Sequence, residues 1–427
     1  MTRSRDEILA LVETLRPEAI RFLQEFTRID TYNPPGNTEE GAEFIRAFLA
    51  AKGVTPRVIA PQPTMPNLVA SESFAPGGRH LILNGHIDVF PPGPREHWTR
   101  DPLSGDLAEG RVHGRGTVDM KCGTTAMIFT YLALRELAPD LAGKVTLTVV
   151  SDEETGGRWG AGYLVETHPE LVLGDCLLNS EPSSPWTVRF GEKSPTWFRF
   201  RVRTPGGHGA YPHLSKSATR IAARLMLDLE ALEEIPVEMP ESVARVLSAP
   251  EVEAAIERAL GKGAPAVLRR VTLNIGVISG GVKVNMTPGD VTFEADIRMP
   301  VGTTAAQLRE AVQAIAARYP EVTVEDMQHF TMDPTCSDPD HEMVGRLADA
   351  AESLQGVRPQ PIVNLGGTDA RYWRIKGVPS YVYGCSPEGM GMPNESVSVD
   401  EFAHVLRTHV LAAAGYLSAE EPKNRVP

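Results

Sequence analysis

His86, Asp88, Asp119, Glu153, Glu154 and Glu181 stand at irregular intervals in the first half of the chain, most of them just beyond a short apolar run. So many acids gathered in one place repel one another, and desolvation penalises each charge, unless cations neutralise them. A divalent metal does this most simply. One imidazole among several carboxylates suits Zn, Mn or Co, whereas a structural zinc site would favour cysteine. The chemistry is that of a metal-assisted hydrolase.

Three strands must carry these residues to one place. Residues 80–84 (HLILN) turn through Gly85 into His86 and Asp88, residues 145–150 (VTLTVV) deliver Glu153 and Glu154, and residues 176–179 (CLLN) deliver Glu181. Short runs rich in Val, Ile and Leu read as buried strands, and open α/β sheets bind ligands outside the carboxyl ends of their strands. Asp119 comes instead from the loop Gly114-Arg115-Gly116-Thr117-Val118, ahead of a helical stretch at 124–137.

A chain of 427 residues suggests two domains. Its net charge of -13 argues against nucleic acid as a partner, and an anionic substrate has to be met by local arginines. The four cysteines lie far apart with no CxxC, which points to neither a zinc knuckle nor a disulfide framework and suits the reducing cytoplasm. The N-terminus lacks the apolar core of a signal peptide, and no run is long enough to span a membrane.

Apolar spacing over residues 6–29, interrupted by Pro17, predicts two packed helices or one kinked helix. Asn33-Pro34-Pro35-Gly36 is a turn, a second helix follows at 39–52, and a strand lies near 67–70. Strand and helix alternate to residue 190, predicting a mixed or parallel sheet flanked by helices. The order then becomes strand (196–202), helix (215–233), strands (271–277 and 291–298), helix (304–318) and strand (322–327), that of a ferredoxin-like α+β sandwich. Residues 234–270 read as an insertion within this smaller domain. The expected division is 1–190 and 331–427 for the larger domain and 191–330 for the smaller.

Several motifs together resemble the M20 metallopeptidase family, the group of acetylornithine deacetylase, succinyl-diaminopimelate desuccinylase, aminoacylase and glutamate carboxypeptidase. They are Gly85-His86-Ile87-Asp88-Val89 with Pro91-Pro92-Gly93, Gly114-Arg115-Gly116 with Asp119-Met120-Lys121, Asp152-Glu153-Glu154, and Glu181. Later come Gly206-Gly207-His208-Gly209-Ala210 with Pro212, Gly280-Gly281 with Asn285 and Pro288, and Gly366-Gly367-Thr368-Asp369-Ala370-Arg371. The resemblance implies a zinc-peptidase-like domain carrying a lid that also dimerises, alone or in larger assemblies of dimers.

Residue by residue, it implies that His86 and Glu181 bind one metal, Glu154 a second, and Asp119 bridges them. Asp88 would hydrogen-bond the other His86 ring nitrogen and fix the tautomer. Glu153 would be the general base, taking a proton from water and returning it to the leaving nitrogen. His208 would donate to the oxyanion, across a dimer interface. Asn285, Arg298 and Arg371 are candidates to hold a substrate carboxylate, with a structural ion pair the competing reading for each arginine.

The chain departs from the family pattern at Gly391. There the family places a histidine, the last ligand of the second metal, three residues before an acidic or amide residue; here the run is Gly389-Met390-Gly391-Met392-Pro393-Asn394-Glu395. One or two metals per subunit are therefore open, with Glu388, Glu395 or substrate as substitute ligands, and the lost side chain enlarges the space beside the metal. Three functions follow: deacylation of an N-acyl amino acid or related small carboxylate, hydrolytic deamination of an aromatic amine in the manner of 5-nitroanthranilate aminohydrolase, and small-molecule binding by an inactive relative.

Overall fold

The computed structural model describes residues 3–327 and 332–418; the expected domain boundary near residue 330 lies outside them. Among the described residues, the larger domain is built on a nine-stranded mixed sheet. Its strands run in the order Arg57–Ile59, Asn67–Ser73, Ala142–Val150, Ala75–His86, Cys176–Asn179, Ser380–Val382, Thr187–Glu192 and Thr335–Cys336, with Gln360–Asn364 pairing alongside Thr187–Glu192. The strands predicted to carry the site are adjacent and parallel, with Asn84 opposite both Thr148 and Asn179. Their carboxyl ends therefore open on one edge.

Alternation along the strands sorts side chains onto two faces. Leu81, Leu83, Leu147, Val149 and Leu178 enter the main core. Ile82, Val150, Leu177 and Val382 enter a second core with Leu164, Val165 and Trp373. The helix Cys122–Glu136 is buried from Cys122 to Leu134, which is why it is apolar all round rather than striped. The first helix, Arg5–Thr27, runs unbroken through Pro17, starting from a capping box between Ser4 and Glu7. Burial of Val12, Ala19, Phe22, Leu23 and Phe26 outweighs the one hydrogen bond that proline removes.

The smaller domain has the predicted order. Its antiparallel sheet runs Thr272–Gly280, Asp290–Met299, Ser194–Arg203, Val322–Asp326, covered on one face by helices Ala218–Leu229 and Ala305–Ala316. The other face is solvated and laced with ion pairs such as Arg199 to Glu294 at 2.8 Å.

The insertion is a correction. Helices Glu241–Leu247, Pro250–Leu260 and Ala264–Leu268 leave the smaller domain and bury Val243, Val246, Leu247, Val252, Ile256 and Leu268 in the main core of the larger one. The smaller sheet already has its two covering helices, so this apolar surface docks beside Thr187–Glu192 and Gln360–Asn364. Lys193 pins it there by donating to the carbonyls of Val267 at 2.9 Å and Arg270 at 2.8 Å.

Candidate active site

His86 ends its strand wholly buried. Its Nδ1 faces the Asp88 backbone carbonyl at 2.8 Å, while the Asp88 carboxylate stands 3.5 Å away. The bond expected between Asp88 and this ring nitrogen is made through the Asp88 backbone. A carbonyl only accepts, so Nδ1 carries the proton and Nε2 is left as the ligating nitrogen. The Asp88 carboxylate instead accepts from Asn33 at 2.8 Å and from the backbone N–H groups of Glu153 at 3.2 Å and Glu154 at 3.1 Å. Asp88 thus fixes the turn that carries both glutamates.

That turn is a short 3-10 helix, Glu153–Thr155, entered through Asp152 in the left-handed region at φ 77°. The Asp152 carboxylate offsets the strain by accepting from Thr155 and from the Trp159 N–H at 2.8 Å. At Gly157 (φ +73°) a Cβ would meet Asp369 Oδ1 at 2.8 Å, so only glycine lets Asp369 approach.

Nε2 of His86 lies 3.4 Å from Asp119 Oδ1 and 3.4 Å from Glu181 Oε1. Among the described residues these three side chains form the group able to hold a metal ion, with ligand atoms within 4.8 Å of one another. His86 Nε2 and Glu181 Oε1 are buried with no hydrogen-bond partner. One imidazole nitrogen and two carboxylates aimed at a common point fit a divalent cation. Burial pushes the His86 pKa down, but the facing carboxylates of Glu181, Asp119 and Asp88 overcome it and hold it well above its ordinary value. Burial, reinforced by Asp119, pushes Glu181 up to about 7.

Glu154 stands outside this group, its Oε1 accepting from the Phe90 N–H at 3.1 Å. Gly391 is exposed, with nothing within 4 Å of where a Cβ would sit. Its carbonyl accepts from Arg115 Nη2 at 3.0 Å. Glu395 is buried and taken up by an ion pair with Arg115 and by the Val118 N–H at 2.8 Å, and Glu388 is exposed. Neither substitute acid joins the His86 group.

Glu153 is raised well above the ordinary carboxyl range, first by burial and then by Glu181. Arg371 braces its turn, donating to the Gly156 carbonyl at 3.0 Å and lying over the Tyr372 ring. Arg298 is paired with Asp296 at 2.9 Å, which favours the ion-pair reading for that residue. The segments carrying His208 and Asn285 pair on the lid, where His208 is opposite Met286 and the Gly209 N–H donates to the Asn285 carbonyl at 2.8 Å, and His208 is exposed. Among the described residues no hydrogen bond or ion pair joins either to the His86 group.

Sequence reasoning passed over Asp369, although it lies inside a quoted motif. Both its carboxylate oxygens are buried without partners, and burial pushes it up to about 8. It also took Asn33 as a turn residue alone and gave no role to Arg115 or Arg189.

Comparison with known proteins agrees with this architecture. A succinyl-diaminopimelate desuccinylase from Cereibacter sphaeroides is 28% identical over 78% of this chain and 83% of its own length. An M20 family metallo-carboxypeptidase from Sulfolobus solfataricus superposes with a TM-score of 0.80 at 18% identity, covering 93% of this chain and 99% of that one. A dipeptidase from Saccharomyces cerevisiae does so with a TM-score of 0.74 at 16% identity, over 98% and 100%. The model of peptidase family M20/M25/M40 matches residues 82–414, from the strand that delivers His86 into the closing helix, and the chain is a member of that family of hydrolases acting on amide-type C–N bonds.

Proposed function

We propose that the protein removes the acyl group from an N-acyl amino acid or a related small carboxylate, using water, Glu153 as general base and one divalent metal per subunit. The observation that carries this reading is the His86, Asp119 and Glu181 cluster with its unpartnered Nε2 and Oε1, set beside a half-buried Glu153. A divalent cation held by these three residues would supply Lewis acidity toward the scissile carbonyl and the attacking water. Glu153 takes the proton from that water and passes it to the leaving nitrogen. Arg371, beside Glu153, offers positive charge to the substrate carboxylate. His208 and Asn285 reach the chemistry from the lid of a second subunit, and the exposed Val277 and Ile278 on edge strand Thr272–Gly280 suit such a pairing.

Gly391 favours one further reading, hydrolytic deamination of an aromatic amine, because the space where the family has a ligand is open for a flat ring. A single assay separates the two. Metal-loaded protein is given a panel of N-acyl amino acids and unacylated aromatic amines while free amine and ammonia are followed. Free amino acid supports the deacylase reading, and ammonia from an unacylated amine replaces it.

A further inference from the structure

Arg189 is a buried cation without a pairing carboxylate among the described residues. It sits in strand Thr187–Glu192, is 4% exposed, and its Nε has no hydrogen-bond acceptor. The carboxylates of Glu181, Glu192 and Asp119 act on it only through space. Glu192 is taken by Arg374 at 2.9 Å and by the Thr368 hydroxyl at 2.8 Å, and Glu181 faces His86. Asp369 is not among the charges that act on Arg189, and His86 and Arg371 act on Asp369 through space. An isolated buried guanidinium is unfavourable unless some anion meets it.

The sheet register says where that anion would lie. Arg189 is opposite Val382, Val382 is opposite Asn179, and Asn179 is opposite Asn84. Residues in register share a face, and the neighbours of Arg189 on its own strand, Val188 and Phe190, point into the main core on the opposite face. In this row Asn179 donates to Asn84 at 2.8 Å and accepts from the Glu181 N–H at 2.7 Å, which places Glu181 directly beyond it. Two strand spacings, roughly 10 Å, separate Arg189 from Asn179. A small diacid derivative spans such a distance. Because the chain carries a net charge of -13, a dianionic ligand needs local cations of this kind.

We infer that Arg189 receives a second carboxylate of the substrate, so that the amide cleaved at the His86 cluster belongs to a small molecule with two carboxylates, one facing Arg371 and the other Arg189. This specificity rests on the amide-hydrolase reading above. A guanidinium is suited to the task because its planar fork binds a carboxylate through two parallel hydrogen bonds.

The test compares kcat/KM for substrate pairs that differ in one carboxylate, N-succinyl against N-butyryl amino acids and N-acetylglutamate against N-acetylglutamine, in the wild type, Arg189→Met and Arg189→Lys. The wild type is expected to favour one diacid by on the order of 100-fold. In Arg189→Met that ratio collapses, chiefly through KM, and Arg189→Lys keeps part of it. Equal losses on both members of each pair would mean that Arg189 only offsets the acidic cluster, and would overturn the inference, as would a wild type without preference. If Arg189→Met does not fold, Arg189→Lys carries the comparison. Calorimetric binding of succinate and butyrate to the metal-loaded proteins gives a readout independent of turnover. Tight succinate binding that is lost in Arg189→Met without any amide cleavage would remove the deacylase reading and keep the diacid receptor; succinate bound no better than butyrate would remove the receptor.

Discussion

His86 and His409 are both wholly buried, and the fold drives their imidazoles in opposite directions. Around His409, in the closing helix Val399–Tyr416, burial dominates and pushes the pKa down to about 4; its Nε2 faces the Tyr383 carbonyl at 2.6 Å. Around His86 burial pushes the same way, but three carboxylates outweigh it. Burial alone therefore does not mark the functional histidine. What marks it is unneutralised negative charge brought to one nitrogen, charge that draws a divalent cation.

The largest test of this contrast is Glu153→Gln. It keeps the volume and removes the base, so kcat is expected to fall on the order of 1000-fold while elemental analysis finds the metal still bound. Retained turnover would return Glu153 to the ordinary acids. Next, Glu181→Gln takes one carboxylate from His86 and makes its surroundings more like those of His409. Metal affinity by equilibrium dialysis should weaken by on the order of 100-fold or more, and an unchanged affinity would place the metal elsewhere.

Gly391→His extends the cluster instead. The position has open space, although its φ of +72° costs an L-residue about 1 kcal/mol. Metal content per subunit is expected to rise from one toward two. A wild type already holding two would show that another group replaces the family histidine.

The smallest effect belongs to His409. Its folded pKa of about 4 lies below the ordinary 6.5, so as pH falls the unfolded chain takes the proton first. Stability is thus lost between pH 6.5 and 4, by about 3 kcal/mol in all. His409→Gln has no such proton to take, and its thermal melts should decline less steeply over that window. Parallel curves for the two proteins would assign the acid sensitivity to other groups.

Much of the framework was legible in the chain. The runs before His86, Glu153 and Glu181 are strands because they are short, apolar and bounded by polar residues or glycine, and a mixed or parallel sheet follows from their alternation with helices. The smaller domain was legible for the same local reason. The insertion was not: its helices are amphipathic, but nothing in residues 234–270 says which domain receives their apolar face. Arg298 was ambiguous because an ion pair with Asp296 and a waiting substrate site look alike in a list of residue types.

The sequence by itself determined which side chains stand at the ends of the site strands, that Gly391 offers no ligand, and which family pattern the chain follows. These are properties of residue type and spacing, which local backbone preferences translate directly into strand ends and turns. Tertiary structure alone decided that the Asp88 carbonyl rather than its carboxylate meets His86, that Arg115 joins Glu395 across 280 positions of chain, and that Arg189 lies in register with Asn179 while lacking a pairing carboxylate among the described residues. Those outcomes depend on distances between segments remote in sequence and on which charges burial leaves unpaired, and neither exists until the sheet is assembled.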